Sequence, residues 1–352
     1  MYIDTIIIGS GISGLTIAAG LDKPDFIILE ARDRIGGRVF TNNKTQLDMG
    51  AAWIHGSIDN PLNKFLDYTS EMIVVSPTNP WVHSEDISIQ YLNLNGKISE
   101  LTRQTIAAKW REIVLKLSSI PNKTIAEAFN EISNTNDLCP YIDSFIYMLE
   151  VWCGGSVDNI PTSYLKSSVG DYPGSHCLFK NGTTTLIKSI LSSSKYNIME
   201  KVHFNKIVTN IIYDNKGVKI FTSDGYIYNC NKVCITVPPG PLKNIAFDPP
   251  LDRERLHALS QIKMGSYKKI QLEFDKNDVF WSNSPMLLTC ENNKDKYTIW
   301  NNYMFLKNKP IIEAICPANL GWELAGKSDE EIADKIMTKL KTFYPLAPEP
   351  VS

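Results

Sequence analysis

The hexapeptide Gly9-Ser10-Gly11-Ile12-Ser13-Gly14 restricts the fold of the N-terminal part of this chain more than any other feature. It lies between a short β-branched run at 5–8 and an apolar helix start at 15–21, and residues 26–29 (Phe-Ile-Ile-Leu) read as a second strand. Strand, glycine turn, helix and strand within thirty residues make a βαβ unit. Neither strand alternates apolar with polar, as is usual for parallel strands covered on both faces. The stretch 5–21 carries no charge, but four glycines and several hydroxyl residues make it a poor spanning helix. The first charge is Asp4, so a basic signal-peptide flank is also missing. The expectation is a folded α/β start with neither leader nor membrane span.

Glycines at these spacings permit a tight turn, close approach of the main chain to a pyrophosphate, and close packing of the helix. The N-terminus of that helix offers oriented N–H groups and partial positive charge to phosphate. Glu30 strengthens the match: it ends the second strand 21 residues after Gly9, near the spacing of about 20 at which a carboxylate meets ribose hydroxyls and repels a 2′-phosphate. A glycine turn in a generic α/β domain, with a solvated Glu30, is the plainer alternative. A second glycine turn follows, Arg34-Ile35-Gly36-Gly37-Arg38, where paired glycines let the chain pass close to a bulky group and Arg38 can fork onto phosphate. Its place just after Glu30 favours a retained dinucleotide over NAD.

Further along, Asn60-Pro61 opens an expected helix with Leu62, Phe65, Leu66 and Met72 on one side. From about Trp81 to Gly155 the pattern is mainly helical: Trp110, Ile113, Val114 and Leu117 share a face, Thr124 and Glu127 have capping-box spacing, and Tyr141, Ile142, Phe145, Ile146 and Leu149 form a stripe. Residues 202–213, 218–222 and 226–230 read as a meander split by Asp/Asn/Gly turns, and 233–237 as a separate buried strand. A mixed strand covers 269–274, and a last helix is capped by Ser328 and Glu331 with Ile332, Ile336, Leu340 and Phe343 inward. The 352 residues suit two or three domains, or a discontinuous pair. With 36 basic against 38 acidic side chains and no basic run, the chain shows no footprint for nucleic acid or anionic lipid. Seven cysteines without C-x-x-C spacing point to a reducing, cytoplasmic setting and to no metal. Cys230, Cys234, His176 and Cys177 are read as structural.

Together, 9–14, Glu30, 34–38 and Leu47-Asp48-Met49-Gly50-Ala51-Ala52-Trp53-Ile54-His55-Gly56 resemble the FAD-dependent amine oxidase family, particularly its polyamine oxidase branch. Asn181-Gly182, Lys201-Val202, the run from Thr236 to Lys243, Phe247-Asp248-Pro249-Pro250-Leu251 and Gly265-Ser266-Tyr267-Lys268-Lys269-Ile270 recur in the family's order. The resemblance implies an α/β fold: a Rossmann-like FAD-binding domain of the glutathione reductase type (1–80 and 177–243), interleaved with a mixed α/β substrate-binding domain (81–176 and 244–352). It implies that Gly9, Gly11, Gly14, Glu30, Arg32, Gly36, Gly37, Arg38 and Val202 hold FAD, with Val202 meeting the adenine through its main chain. It further implies that His55 lies near the substrate and that Lys269 holds a water at the flavin N5. On the residues alone, His55 also fits a hydrogen-bonded interior histidine. Lys269, alternating with Ile270, Leu272 and Phe274, also fits a solvated strand face, and Lys268 beside it leaves a one-residue choice.

The implied reaction is hydride removal from the carbon beside an unprotonated small-molecule amine, giving an imine and then an aldehyde, with O2 taking the electrons to form hydrogen peroxide. One departure stands out. The family's closing segment supplies a Gly-Glu pair near FAD and aromatic residues around the substrate, and nothing after Ser328 resembles them. The expectation is therefore weak FAD retention, or a partner chain supplying that segment. The rival reading is a truncated, non-catalytic FAD or dinucleotide-binding module. A flavin desaturase or porphyrinogen oxidase would share the glycine turns but not the 53–56 motif or Lys269.

Overall fold

A computed structural model describes residues 2–66, 71–76, 89–132, 142–166, 172–290 and 299–352. The chain divides into two compact units. The first holds 1–53, 61–72 and 178–264; the second holds 54–60, 73–177 and 265–352.

The first unit is built on a seven-stranded sheet, in the order Ala246–Asp248, Val208–Asp214, Gly217–Thr222, Ile227–Ile235, Tyr2–Ile8, Phe26–Leu29, Val202–His203. The βαβ unit is present: Tyr2–Ile8 and Phe26–Leu29 pair in parallel, joined through helix Ile12–Ala19. Leu15 and Ala18 of that helix are buried, as are Ile7 and Ile28. Ile3, Ile6, Ile8 and Leu29 pack with Val208, Ile211, Ile220 and Ile245 in one apolar cluster. Each such side chain taken fully from water contributes about 1.5–3 kcal/mol.

The meander is arranged differently from the expectation. Ile227–Ile235 is one strand of nine residues, not two. Its first half pairs antiparallel with Gly217–Thr222, and residues 229–235 pair in parallel with Tyr2–Ile8. Asn231-Lys232 reads as a polar break in the sequence, but parallel pairing with Tyr2–Ile8 carries the strand through it, with Lys232 opposite Thr5, and Asn231 donates to Asp4 at 3.0 Å. The run at 202–213 is in turn two strands: Val202–His203 pairs with Phe26–Leu29, whereas Val208–Asp214 pairs with Gly217–Thr222.

The second unit carries a six-stranded sheet, ordered Tyr267–Glu273, Ile311–Pro317, Ile299–Asn302, Met286–Thr289, Ile89–Asn93, Gly96–Lys97. Helices Glu100–Ser119, Ile125–Ile132 and Ile142–Cys153 make up the expected helical section. Strands at 89–93 and 96–97 precede them, however, and residues 81–88 and Tyr141 lie outside the described residues. Trp110, Ile113 and Leu117 are buried, and the Trp110 ring stacks on Phe145 at 5.0 Å. Helix Ile142–Cys153 buries Ser144, Phe145, Tyr147, Met148 and Val151, a face rotated from the expected stripe. Two polar anchors turn it: Ser144 Oγ donates to the Thr289 carbonyl and Tyr147 Oη to the Ile315 carbonyl, at 3.2 and 2.5 Å.

Both capping boxes form as the spacing predicts, Thr124 with Glu127 and Ser328 with Glu331. Of the expected helix after Asn60, Pro61–Lys64 forms a 3-10 turn, residues 67–70 lie outside the described residues, and Met72 opens a strand, Met72–Ser76. Among the described residues no helix is long and apolar enough to cross a membrane.

Candidate active site

In the first unit the two glycine turns lie against each other. Gly9 takes φ +99°, a conformation that L side chains rarely adopt. A Cβ on Gly14 would stand 2.0 Å from the Gly9 carbonyl oxygen, so only glycine lets the helix start this close to the turn. Gly11 is different: a Cβ there would meet nothing within 4 Å. Gly11 is also the N-cap of helix Ile12–Ala19 and offers no side chain to cap it. The first N–H groups of the helix therefore look onto open space, which is the cradle a pyrophosphate requires.

The second turn closes onto the first. Gly36 N–H donates to the Ser10 carbonyl at 2.9 Å, and a Cβ on Gly37 would come within 3.3 Å of the Gly11 Cα. Arg34 holds this turn from within, donating to the carbonyls of Ile35 and Gly37 at 3.1 and 2.9 Å, with its guanidinium 4.6 Å from the Phe40 ring centre. Burial lowers the Arg34 pKa from its ordinary value, with Arg32 adding to the effect.

Glu30 is buried rather than solvated. One oxygen accepts from Ser10 N–H at 2.7 Å and from Ser10 Oγ at 2.6 Å; the other accepts from Arg32 N–H at 2.9 Å. The carboxylate thus ties the first turn to the end of the second strand. Val202 pairs with Ile28, and Glu30 N–H donates to the His203 carbonyl at 3.0 Å, which brings the Val202 strand beside Glu30. The Arg32 and Arg38 side chains are exposed. Two contributors escaped the sequence reading. Ser10 lies between the glycines, and Thr236 Oγ1 donates to the carbonyls of Ile8 and Gly9 at 2.9 and 3.1 Å. Their signal in the sequence is no more than a hydroxyl at a turn.

In the second unit His55 is half-buried, its Nδ1 3.1 Å from the Nδ1 of His176 and its ring 5.9 Å from that of Trp152. Two nitrogens at this distance need one donor and one acceptor, so the pair carries a single proton between them. His176, expected to be structural, is buried and is the partner of His55 across 121 positions of chain. Gly56, at φ +78°, cannot carry a side chain, because a Cβ would stand 1.6 Å from the Tyr172 carbonyl oxygen.

Strand Tyr267–Glu273 points Lys268 and Lys269 to opposite faces. Lys268 Nζ donates to the Leu324 carbonyl at 2.8 Å. Lys269 is not on a solvated face: its side chain is 5% exposed, with Nζ 3.8 Å from a carboxylate oxygen of Glu313. Cys177 and Cys230 are buried, and burial pushes the Cys230 thiol up to about 11.

The family model for flavin containing amine oxidoreductase matches residues 12–352. The chain belongs to this family. Polyamine oxidase 5 of Oryza sativa subsp. japonica is 30% identical, the match covering 98% of this chain and 73% of the relative. Probable polyamine oxidase 4 of Arabidopsis thaliana is 28% identical, over 98% of this chain and 72% of its own length. Lysine-specific histone demethylase 1 homolog 3 of Arabidopsis thaliana is 25% identical, with 99% of this chain aligned to 25% of that protein. This flavin amine oxidoreductase therefore takes FAD as its cofactor. The open space above Gly11, the uncapped helix N-terminus and the buried Glu30 fit the dinucleotide end of that group.

Proposed function

We propose that this chain oxidises a small polyamine at a carbon next to nitrogen, releasing an amino-aldehyde product and hydrogen peroxide. The observation that carries the reading is Lys269, a lysine kept 5% exposed on a sheet of the second unit, at the position where the resemblance expects the lysine beside the flavin. The polyamine class follows the printed names of similar proteins.

FAD, when bound, supplies the two-electron acceptor and passes the electrons on to O2. The chain's own residues bind and orient. The turn at 9–14, with Glu30, Arg32, Gly36, Gly37, Arg38 and Val202, holds the dinucleotide. Lys269 places a fixed positive charge where negative charge develops, an effect that is strongest where water is excluded. His55 faces the amine. When His176 accepts on the shared Nδ1 line, His55 carries its proton on Nδ1 and its Nε2 is in acceptor form, suited to an ammonium N–H; the reverse tautomer makes Nε2 a donor. The unprotonated amine is the form that gives up hydride.

The test is peroxide release from the FAD-loaded protein with spermine, spermidine and a monoamine, followed by stopped-flow measurement of flavin reduction and reoxidation. Lys269→Met is expected to slow one half-reaction by at least about tenfold, or about 1.4 kcal/mol of barrier, and Lys268→Met to change little. Bound flavin with no amine-dependent peroxide would favour a dinucleotide-binding module without catalysis. A larger loss at Lys268 would remove Lys269 from the mechanism.

A further inference from the structure

We propose that Glu313 is a positioning residue for Lys269, fixing the lysine's ammonium from the neighbouring strand. The proposal rests on the role given to Lys269 above.

Glu313 lies in the middle of strand Ile311–Pro317 and is 0% exposed. Strand register puts Gln271 directly opposite it on one side and Asn301 on the other. Both neighbours donate to the carboxylate, Asn301 Nδ2 to Oε1 at 2.8 Å and Gln271 Nε2 to Oε2 at 2.7 Å. The Tyr303 hydroxyl is 3.5 Å from each oxygen. A buried carboxylate is expensive unless it is hydrogen-bonded and paired. Here two amides from two different strands hold the carboxylate plane, and the ion-pair partner is Lys269.

The geometry separates the two tasks. The amides take the short hydrogen bonds, whereas Lys269 Nζ stands 3.8 Å from Oε1, a distance at which attraction is Coulombic. A long flexible side chain is thereby given a fixed end point without a short bond to the carboxylate. Such fixing matters for a lysine that serves a reaction, since a misplacement of about 1 Å in a catalytic site costs on the order of 10²-fold in rate. A stabilising role alone would be served as well by an apolar pair of similar volume.

The first measurement uses the purified chain and needs no cofactor: limiting acetic anhydride, with acetylation of each lysine read by peptide mass spectrometry. Glu313→Gln is expected to raise acetylation of Lys269 about tenfold, about 1.4 kcal/mol of lost restraint. Lys339, buried in helix Asp329–Phe343 of the same unit, should stay unchanged. Unchanged labelling of Lys269 would overturn the proposal. If Lys339 opens as well, the half-buried Gln271 decides. Gln271→Met removes one donor from the carboxylate; acceleration at Lys269 alone upholds the proposal, and acceleration at both lysines or neither overturns it.

The second measurement uses the FAD-loaded protein in a double-mutant cycle. Glu313→Gln should slow the same half-reaction as Lys269→Met and add less than about twofold when Lys269 is already methionine, because coupled residues fail to add. Effects that multiply would mean Glu313 acts independently, which overturns the proposal. If Lys269→Met changes neither half-reaction, the assignment of Lys269 itself has failed, and the positioning role of Glu313 in the reaction falls with it whatever the labelling shows.

Discussion

Gly11 and Gly14 differ by three positions and belong to one motif, yet the same substitution at each should act on a different quantity. At Gly14 an added methyl would lie 2.0 Å from the Gly9 carbonyl oxygen and 3.0 Å from Thr236 Oγ1, where real Cβ contacts keep beyond 3.0 Å. The obstruction is backbone, so helix and turn must separate by about 1 Å. Overpacking of this kind costs about 1–3 kcal/mol or somewhat more, and Gly14→Ala should lose about 3 kcal/mol with no cofactor present. At Gly11 the methyl meets nothing within 4 Å, and φ −69° with ψ 178° suits alanine. Alanine is a poorer N-cap than glycine, so Gly11→Ala should stay within about 1 kcal/mol of wild type. The methyl nevertheless occupies the space in front of the helix N–H groups. FAD affinity should fall at least about tenfold, about 1.4 kcal/mol. Urea denaturation of cofactor-free protein and titration with FAD, followed by flavin fluorescence, measure the two effects separately. Wild-type stability in Gly14→Ala, or wild-type FAD affinity in Gly11→Ala, would refute the assignment of this turn as the pyrophosphate cradle.

Glu30→Gln should destabilise the cofactor-free protein by about 1–3 kcal/mol, because the carboxamide cannot accept from both Ser10 and Arg32 and leaves a buried donor unpaired; a melting curve checks it, and NADPH binding should remain weaker than FAD binding in the wild type. Alkaline pH should weaken the fold through Cys230. Its thiol is held protonated up to about 11 against an ordinary 9.0, so the unfolded chain releases its proton first. The associated stability is present in full below pH 9 and is lost between pH 9 and 11, by up to about 3 kcal/mol. Denaturant titrations across that range should show the loss in the wild type and a flatter profile in Cys230→Ala.

What the amino-acid order determined by itself was local. The turn at 9–14, the strand and helix on either side of it, and the boxes at Thr124 and Ser328 each depend on residues three to ten positions apart, where spacing translates directly into geometry. Glu30 was legible as a carboxylate at the end of a strand, but its burial under Ser10 and Arg32 was not. The tertiary structure alone decided that Asn231-Lys232 continue a strand, because parallel pairing with Tyr2–Ile8 outweighs a polar pair. Likewise, His176 reaches His55 across 121 positions, and Glu313 sits between Gln271 and Asn301 only because three strands come into register. In the sequence Lys269 alternates with apolar neighbours as a solvated lysine would. Its burial comes from the carboxylate on the adjacent strand, a partner 44 residues away, and a charge separated that far along the chain leaves no local pattern for spacing to reveal.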